Sequence, residues 1–155
     1  EVKVFVNNET DIIGLEELEN ELNIKQKRKI KLYKKIKREI LSYQFEDFTI
    51  LVGRNSRENE EITFSRGNGD DIWMHIKDLP GSHVLILREN KPVPDSVLSY
   101  ATNLAGLYSK SGVGDKVTID YCEKRFVKKI KKSKPGNVTY INYKSLDVVI
   151  KNISS

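Results

Sequence analysis

Short apolar runs separated by polar turns predict an α/β (α+β) domain over residues 45–155. Four runs in its first half predict strands: Phe48–Val52, Ile62–Phe64, Asp70–His75 and Ser82–Leu87. Val84–Leu87 is continuously apolar, which is typical of a strand that is buried on both faces. Pro80 and Gly81 favour a tight turn just before it.

A helical pattern follows these strands and predicts the packed centre of the domain. The helix begins after Pro94, where Asp95 or Ser96 can cap it. Its core face combines apolar and small residues: Val97, Leu98, Ala101, Leu104, Ala105 and Tyr108. Four further strands are predicted after it: Lys116–Tyr121, Arg125–Ile130, Val138–Tyr143 and Val148–Ile150, with a turn at Lys134–Asn137. The pattern therefore predicts a mixed multi-stranded sheet with one central packed helix.

Residues 1–44 have a different pattern and predict a short helical or linker segment ahead of the domain. Val2–Val6 alternates as a short strand does, and Asp11–Leu22 predicts an acidic helix. Residues 25–41 are rich in Lys and Arg, and their apolar residues recur at helical spacing: Ile30, Tyr33, Ile36 and Ile40. Like charges repel along such a helix, so this segment is either a linker or the base of a coiled-coil arm.

Charge is distributed unevenly along the chain and favours a polyanionic partner. The 155 residues carry a net charge of +5. Residues 1–80 hold 14 Lys and Arg against 16 Asp and Glu, whereas residues 81–155 hold 13 against 6. Dense basic runs at residues 25–38 and 124–134 account for much of the excess, and such runs attract nucleic acid.

Other features of composition narrow the cellular setting. The one cysteine, Cys122, excludes an intramolecular disulfide and suits a reducing compartment. No apolar run approaches the roughly 20 residues that a membrane span needs. The chain begins with Glu1 rather than Met, so we expect it to be a fragment of a longer protein.

Motifs along residues 46–150 resemble the NFACT-R family in their order and spacing. The central motif is Asp71-Ile72-Trp73-Met74-His75, Lys77-Asp78 and Pro80-Gly81-Ser82-His83-Val84. The opening motif is Ile50–Asn55, followed by Glu58-Asn59 and Ile62-Thr63. The downstream motifs are Ala101 with Tyr108-Ser109-Lys110, and Val127–Lys129 with Lys134–Gly136. Residues 1–44 resemble the end of the coiled-coil arm and the basic linker helix that precede the domain in this family.

The resemblance implies a non-enzymatic RNA-binding module of a ribosome quality-control factor. Full-length members of the family bind the large ribosomal subunit with a stalled nascent chain and tRNA, and they help to extend that chain. The implied partners are therefore tRNA, large-subunit rRNA and the large ribosomal subunit, in the cytoplasm. Bacterial members are also named as fibronectin-binding proteins. The alternative is thus a protein-interaction module, such as a fibronectin-binding adhesin segment exposed at the cell surface.

The candidate RNA-binding residues fall into three groups. The basic run comprises Lys124, Arg125, Lys128, Lys129, Lys131, Lys132 and Lys134, and strand alternation would place Lys124, Lys128 and Lys132 on one face. Neutralising about six phosphates predicts a slope near −4 to −5 for the logarithm of the RNA-binding constant against the logarithm of the salt concentration.

An aromatic group of Trp73, His75 and His83 could stack on bases or hydrogen-bond their edges, with Lys77 beside it. Arg54 and Asn55 follow Gly53, where an arginine fork can meet a phosphate.

Each group also has a structural interpretation. The lysine runs could be solvated faces, and residues 25–38 could be no more than a linker. Trp73 could belong to the core, since it lies between Ile72 and Met74. Arg54 could pair with one of three acids: Asp70, Asp71 or Asp78.

Enzyme chemistry has little support in the sequence. A metal site at His75, Asp78 and His83 with Asp71 lacks a short ligand-pair spacing. A hydrolase would need Asp71 and Asp78 as paired carboxylates, and Cys122 would need a nearby base to act as a nucleophile. We therefore expect no catalytic residue, no metal and no cofactor.

Overall fold

The computed structural model describes residues 23–37 and 39–153, in two compact units that divide between Glu39 and Ile40. In the first unit, helix α1 spans Ile24–Lys37 and confirms the helix that the basic run predicted. The side chain of Asn23 accepts a hydrogen bond from the Gln26 amide at 3.1 Å, which satisfies one of the free amides at the start of the helix.

Several predictions for the N-terminal segment concern parts of the chain outside this description. The strand predicted at Val2–Val6 and the helix predicted at Asp11–Leu22 both lie outside the described residues. Of the predicted apolar stripe, Ile30 is buried, while the side chains of Tyr33 and Ile36 are not described.

The second unit is built on eight strands in two antiparallel sheets. In chain order the strands are β1 (Leu41–Phe45), β2 (Phe48–Val52), β3 (Ile72–Ile76), β4 (Val84–Leu87), β5 (Lys116–Glu123), β6 (Val127–Lys129), β7 (Val138–Tyr140) and β8 (Lys144–Val149). Six of them form the main sheet in the spatial order β1-β2-β4-β3-β5-β8, and β6 and β7 form a separate hairpin. The two helices of this unit are α2 (Ser56–Ser65) and α3 (Asp95–Leu107).

The two faces of the main sheet have separate apolar cores. On one face, α3 buries Val97, Ala101 and Leu104 completely, as the helical pattern predicted. On the opposite face, α2 and the β6–β7 hairpin cover Leu51 and Leu85. Because β4 lies inside the sheet and both faces are covered, Val84, Leu85 and Ile86 are fully buried and Leu87 is partly buried, which confirms the continuous-run prediction.

The α+β class is confirmed, and the differences from prediction have local causes. All neighbouring strands are antiparallel, where a mixed sheet was expected. Ile62–Phe64 is helical rather than a strand, because α2 begins at Ser56 behind a capping side chain. The predicted strand Arg125–Ile130 is shortened by a 3₁₀ turn, and Pro94 occupies the N-cap of α3 without a side-chain cap.

Candidate nucleic-acid interface

The β6–β7 hairpin is a lysine-rich element with an apolar inner side. Val127, Val138 and Tyr140 turn inward and join the core that α2 covers. Lys128 pairs across the hairpin with Thr139, and both residues are exposed. Alternation along the two short strands therefore places Val127, Val138 and Tyr140 on the side that anchors the hairpin, and Lys128 with Thr139 on the side that faces solvent.

The loop that joins the two strands, residues 130–137, carries three exposed lysines: Lys131, Lys132 and Lys134. Its end lies against the first turn of α2. Gly136 has a φ of +87°, and a Cβ there would lie 3.2 Å from the carbonyl oxygen of Ser56. The Ile130 amide also donates to the Asn137 carbonyl at 3.1 Å, which closes the base of the loop. The three lysines are therefore presented from a packed loop.

The cations of the basic run differ in whether an acid neutralises them. Lys129 Nζ lies 2.9 Å from Glu60 Oε1, and Arg125 Nε lies 3.6 Å from Glu123 Oε1. Four exposed lysines of this run have no acidic partner within residues 23–37 and 39–153: Lys128, Lys131, Lys132 and Lys134. These four uncompensated charges are the ones that a phosphate can neutralise without first breaking an ion pair.

Lys124 does not lie where strand alternation placed it. It begins the 3₁₀ turn Lys124–Phe126, and its Nζ donates to the Arg66 carbonyl at 2.5 Å. Burial lowers the pKa of Lys124. Lys132 lies in the loop with a φ of 58°. The predicted common face of Lys124, Lys128 and Lys132 is therefore wrong, because the strand is interrupted at both ends.

Arg54 and Asn55 organise the start of α2. The Asn55 side chain accepts from the Glu58 amide at 2.9 Å and caps the helix. The Arg54 guanidinium forks onto the Glu58 carboxylate, from Nε to Oε1 at 3.0 Å and from Nη2 to Oε2 at 2.9 Å. The hydrogen bond to Glu58 is the main cause of the raised pKa of Arg54. The expected pairing of Arg54 with Asp70, Asp71 or Asp78 is wrong, although its side chain remains 44% exposed.

Trp73 and His83 belong to a buried polar network on the face that α2 covers. Trp73 is 0% exposed and His83 is 2% exposed. Trp73 Nε1 donates to Thr63 Oγ1 at 3.1 Å, and the same oxygen lies 2.7 Å from His83 Nδ1. Burial and the neighbouring His75 lower the pKa of His83 to about 3.

Buried rings cannot stack on a nucleobase. The predicted RNA contacts of Trp73 and His83 are therefore wrong, because both side chains are used inside the domain. His75 is the member of the aromatic group that keeps some exposure, and its ring stacks on Trp73 with centroids 5.9 Å apart. Burial lowers the pKa of His75 and favours its neutral form.

Asp120 is a buried carboxylate that the sequence reasoning missed. Tyr140 Oη donates to its Oδ2 at 2.6 Å, Ser145 Oγ donates to its Oδ1 at 2.6 Å, and Lys77 Nζ lies 3.4 Å from Oδ1. Burial and the hydrogen bond to Asp120 raise the pKa of Tyr140. In the alternating sequence Lys116–Tyr121, Asp120 shares a polar face with Lys116 and Thr118, and this pattern does not indicate that the hairpin covers Asp120. The carboxylate thus ties the hairpin and β8 to the main sheet.

The features of a catalytic centre do not assemble in the described part of the chain. Residues 23–37 and 39–153 contain no group of three or more His, Cys, Asp or Glu side chains that could hold a metal ion. Asp71 instead accepts from the amides of Asn68 and Arg88, at 2.6 and 2.9 Å. Cys122 is buried, and burial raises the pKa of its thiol to about 11, which disfavours the thiolate.

None of the helices described is long and apolar enough to span a membrane.

Comparison with protein families matches residues 38–142 to the family described as the NFACT protein RNA binding domain. The Rqc2 homolog RqcH of Bacillus subtilis is 47% identical over 92 residues, which cover 59% of this chain and 16% of the relative. The Rqc2 homolog RqcH of Streptococcus pneumoniae is 38% identical over 125 residues, which cover 80% of this chain and 22% of the relative. The chain therefore spans about a fifth of the length of these curated relatives.

A solved structure is also similar to this one. It is the C-terminal part of the fibronectin/fibrinogen-binding protein from Streptococcus suis, with a TM-score of 0.68 and 37% sequence identity. The match covers 72% of this chain and 46% of that chain. The family match, residues 38–142, includes β1 to β7 with both helices of the second unit, and β8 (Lys144–Val149) lies beyond it.

Proposed function

Because this chain belongs to the family of NFACT protein RNA binding domains, we propose that it is the tRNA- or rRNA-binding module of a ribosome quality-control factor and that it has no catalytic role. The observation that carries the proposal is the set of four uncompensated lysines on the β6–β7 hairpin: Lys128, Lys131, Lys132 and Lys134. The whole protein would act in the cytoplasm on the large ribosomal subunit, and this module would supply contacts to the RNA backbone.

The hairpin is suited to this role because its cations are positioned before RNA arrives. Its inner side packs in the core, its loop lies against α2, and the Tyr140 hydroxyl donates a hydrogen bond to the buried Asp120 carboxylate. A prepositioned cation loses less conformational freedom on binding than one on a mobile chain, so more of the electrostatic energy becomes affinity. Helix α3, which covers the opposite face, contains no Lys or Arg and so offers no cation of its own to a polyanion.

Salt dependence of RNA binding tests the proposal. Four phosphate contacts predict a log–log slope of about −2.8 for single strands and about −3.6 for duplexes. This slope is shallower than the one expected from the sequence, because Lys124, Arg125 and Lys129 already have hydrogen-bond or ion-pair partners within the domain. The measurement is a fluorescence anisotropy titration of the whole chain with tRNA and with large-subunit rRNA fragments at several salt concentrations. No binding at low salt, or a flat salt dependence, would count against an RNA-binding role.

A protein-interaction module is the second candidate. The structure from Streptococcus suis is named for fibronectin and fibrinogen binding, and the present chain exposes three large apolar side chains near β8: Ile141 at 62%, Val149 at 47% and Tyr143 at 45%. Fibronectin binding that survives nuclease treatment and moderate salt would support this candidate. Loss of fibronectin binding after nuclease treatment would show that nucleic acid bridges the two proteins.

A further inference from the structure

We propose that Tyr143, with Lys77 and Tyr140 around it, is a stacking platform for one unpaired base of the bound RNA. The inference rests on the proposed RNA-binding function and adds a contact of a different kind, to a base instead of to phosphates. Tyr143 is 45% exposed, although it belongs to a cluster of aromatic rings. An exposed aromatic face of this kind is what single-stranded RNA uses for stacking.

The ring of Tyr143 is held from two sides. Tyr140 meets it edge-on, with ring centroids 5.2 Å apart and an interplanar angle of 79°. Lys77 Nζ lies over the Tyr143 ring, 4.9 Å from the centroid, in a cation–π contact. The face turned away from Lys77 is the one that the platform offers to a base.

The supports of the platform are fixed in turn by Asp120. Tyr140 donates to Asp120 Oδ2 at 2.6 Å, and Lys77 Nζ lies 3.4 Å from Asp120 Oδ1. Ser145, two residues after Tyr143, donates to Asp120 Oδ1 at 2.6 Å and pairs with Asp120 across β5 and β8. The buried Asp120 carboxylate therefore holds Tyr140 and Lys77, which contact the Tyr143 ring, and Ser145 of β8, which follows Tyr143. The ring is thus already ordered before a base binds, which lowers the entropic cost of stacking.

The location of the platform favours RNA over an apolar protein partner. Tyr140 is the last residue of β7, next to Thr139, which pairs with Lys128 on the outer side of the hairpin. Since Tyr143 follows Tyr140 by three residues, their Cα atoms lie within about 11 Å of each other, and one bound strand can reach both the hairpin lysines and Tyr143. Lys77, whose charge is paired with Asp120, gives this place a charged and polar setting that does not suit a purely apolar side chain.

The experiment compares Tyr143→Ala with Tyr143→Phe and with Ile141→Ala in the full chain, using a single-stranded RNA of about 12 nucleotides and a blunt duplex. We expect Tyr143→Ala to weaken single-strand binding roughly 5- to 150-fold, with an unchanged salt slope and unchanged duplex binding. Tyr143→Phe should bind as the unmodified protein does. Ile141→Ala, which removes a neighbouring side chain that is 62% exposed, should also have no effect.

A fluorescent purine analogue in the single strand gives a second readout, because its emission is quenched when it stacks on an aromatic ring. Quenching should persist with Tyr143→Phe and be lost with Tyr143→Ala, while thermal unfolding confirms that both variants are folded. Equal loss of single-strand and duplex binding in Tyr143→Ala, or no loss of either, overturns the platform and leaves the hairpin proposal standing. RNA binding by neither the unmodified protein nor any variant overturns both proposals. Loss of fibronectin binding in Tyr143→Ala with unchanged RNA binding assigns the surface to a protein partner and also overturns the platform.

Discussion

The positions of the uncompensated lysines predict that two substitutions with the same change in net charge will have very different effects on RNA binding. Lys131→Gln combined with Lys132→Gln removes two charges from the hairpin loop. Lys91→Gln combined with Lys151→Gln removes two charges from the side of the sheet that α3 covers. Lys91 Nζ lies over the Phe48 ring in that core, and the Lys151 amide donates to Asn103 of α3.

The expected magnitude follows from counterion release. Each lost phosphate contact lowers the log–log salt slope by about 0.7 to 0.9, so the loop variant should lose about 1.4 to 1.8. At about 0.1 M salt this change in slope corresponds to a loss of affinity of roughly 25- to 60-fold. The variant on the α3 side should change the slope by less than about 0.3. Its charges are separated from the bound phosphates by a sheet layer of about 10 Å, and at about 0.1 M salt the Debye length is also about 10 Å, so their interaction is largely screened.

The assay is the anisotropy titration repeated at several salt concentrations for the two variants and the unmodified chain, each after a denaturant unfolding curve. The unfolding curves check that both variants are folded under the titration conditions, because Lys91→Gln also removes the contact of Nζ with the Phe48 ring and its hydrogen bond to the Asp47 carbonyl at 2.8 Å. Equal losses of slope in the two variants would show that net charge alone drives binding. That result would refute the argument from the position of the hairpin.

Three further predictions test the contacts that hold the hairpin and the core. Gly136→Ala should destabilise the domain by about 1 to 2 kcal/mol more than Gly114→Ala in denaturant unfolding, since both have positive φ but only the first Cβ meets α2; equal effects would rule out that contact. Asp120→Asn should cost about 1.5 to 3 kcal/mol, because it weakens the hydrogen bonds to a charged group while the partner Lys77 is 37% exposed, whereas the exposed Asp147→Asn should stay within about 0.5 kcal/mol; equal effects of the two would mean that the carboxylate is not an anchor. Burial lowers the pKa of His83 from 6.5 to about 3, so between these values the unfolded chain binds a proton that the folded domain does not. The unfolding free energy should therefore fall as the pH falls below about 6.5, by about 2 kcal/mol near pH 5, and unfolding curves of His83→Gln should lack that part of the decline.

The fold was predictable wherever one segment determines its own structure. The apolar run of β4 predicted a doubly buried strand, and the spacing of Val97, Ala101 and Leu104 predicted the buried face of α3. The α2 segment was mispredicted as a strand, because Ile62 is one of the few apolar residues in a polar helix. Its helical state depends on the Asn55 cap and on the Glu58 carboxylate bound by Arg54, which a search for apolar periodicity does not detect.

The candidate site was only partly predictable, because charge alone does not reveal pairing. The lysine run was visible in the sequence, but nothing in it distinguishes Lys129, which meets Glu60 from a distant helix, from the unpaired Lys128. The tryptophan motif pointed to Trp73, whose ring is buried in the domain. Trp73 is the buried base of an aromatic cluster, and the exposed ring belongs to Tyr143, far along the chain.

The location of bound RNA on the domain can be measured directly by NMR, as changes in backbone amide shifts when tRNA or a single-stranded RNA is added to the full chain. The hairpin account predicts that the largest changes occur at residues 128–134 and at Tyr143, with little change along α3 (Asp95–Leu107). The largest changes along α3, or changes spread evenly over both faces of the sheet, would contradict the claim that RNA binds to the lysine hairpin.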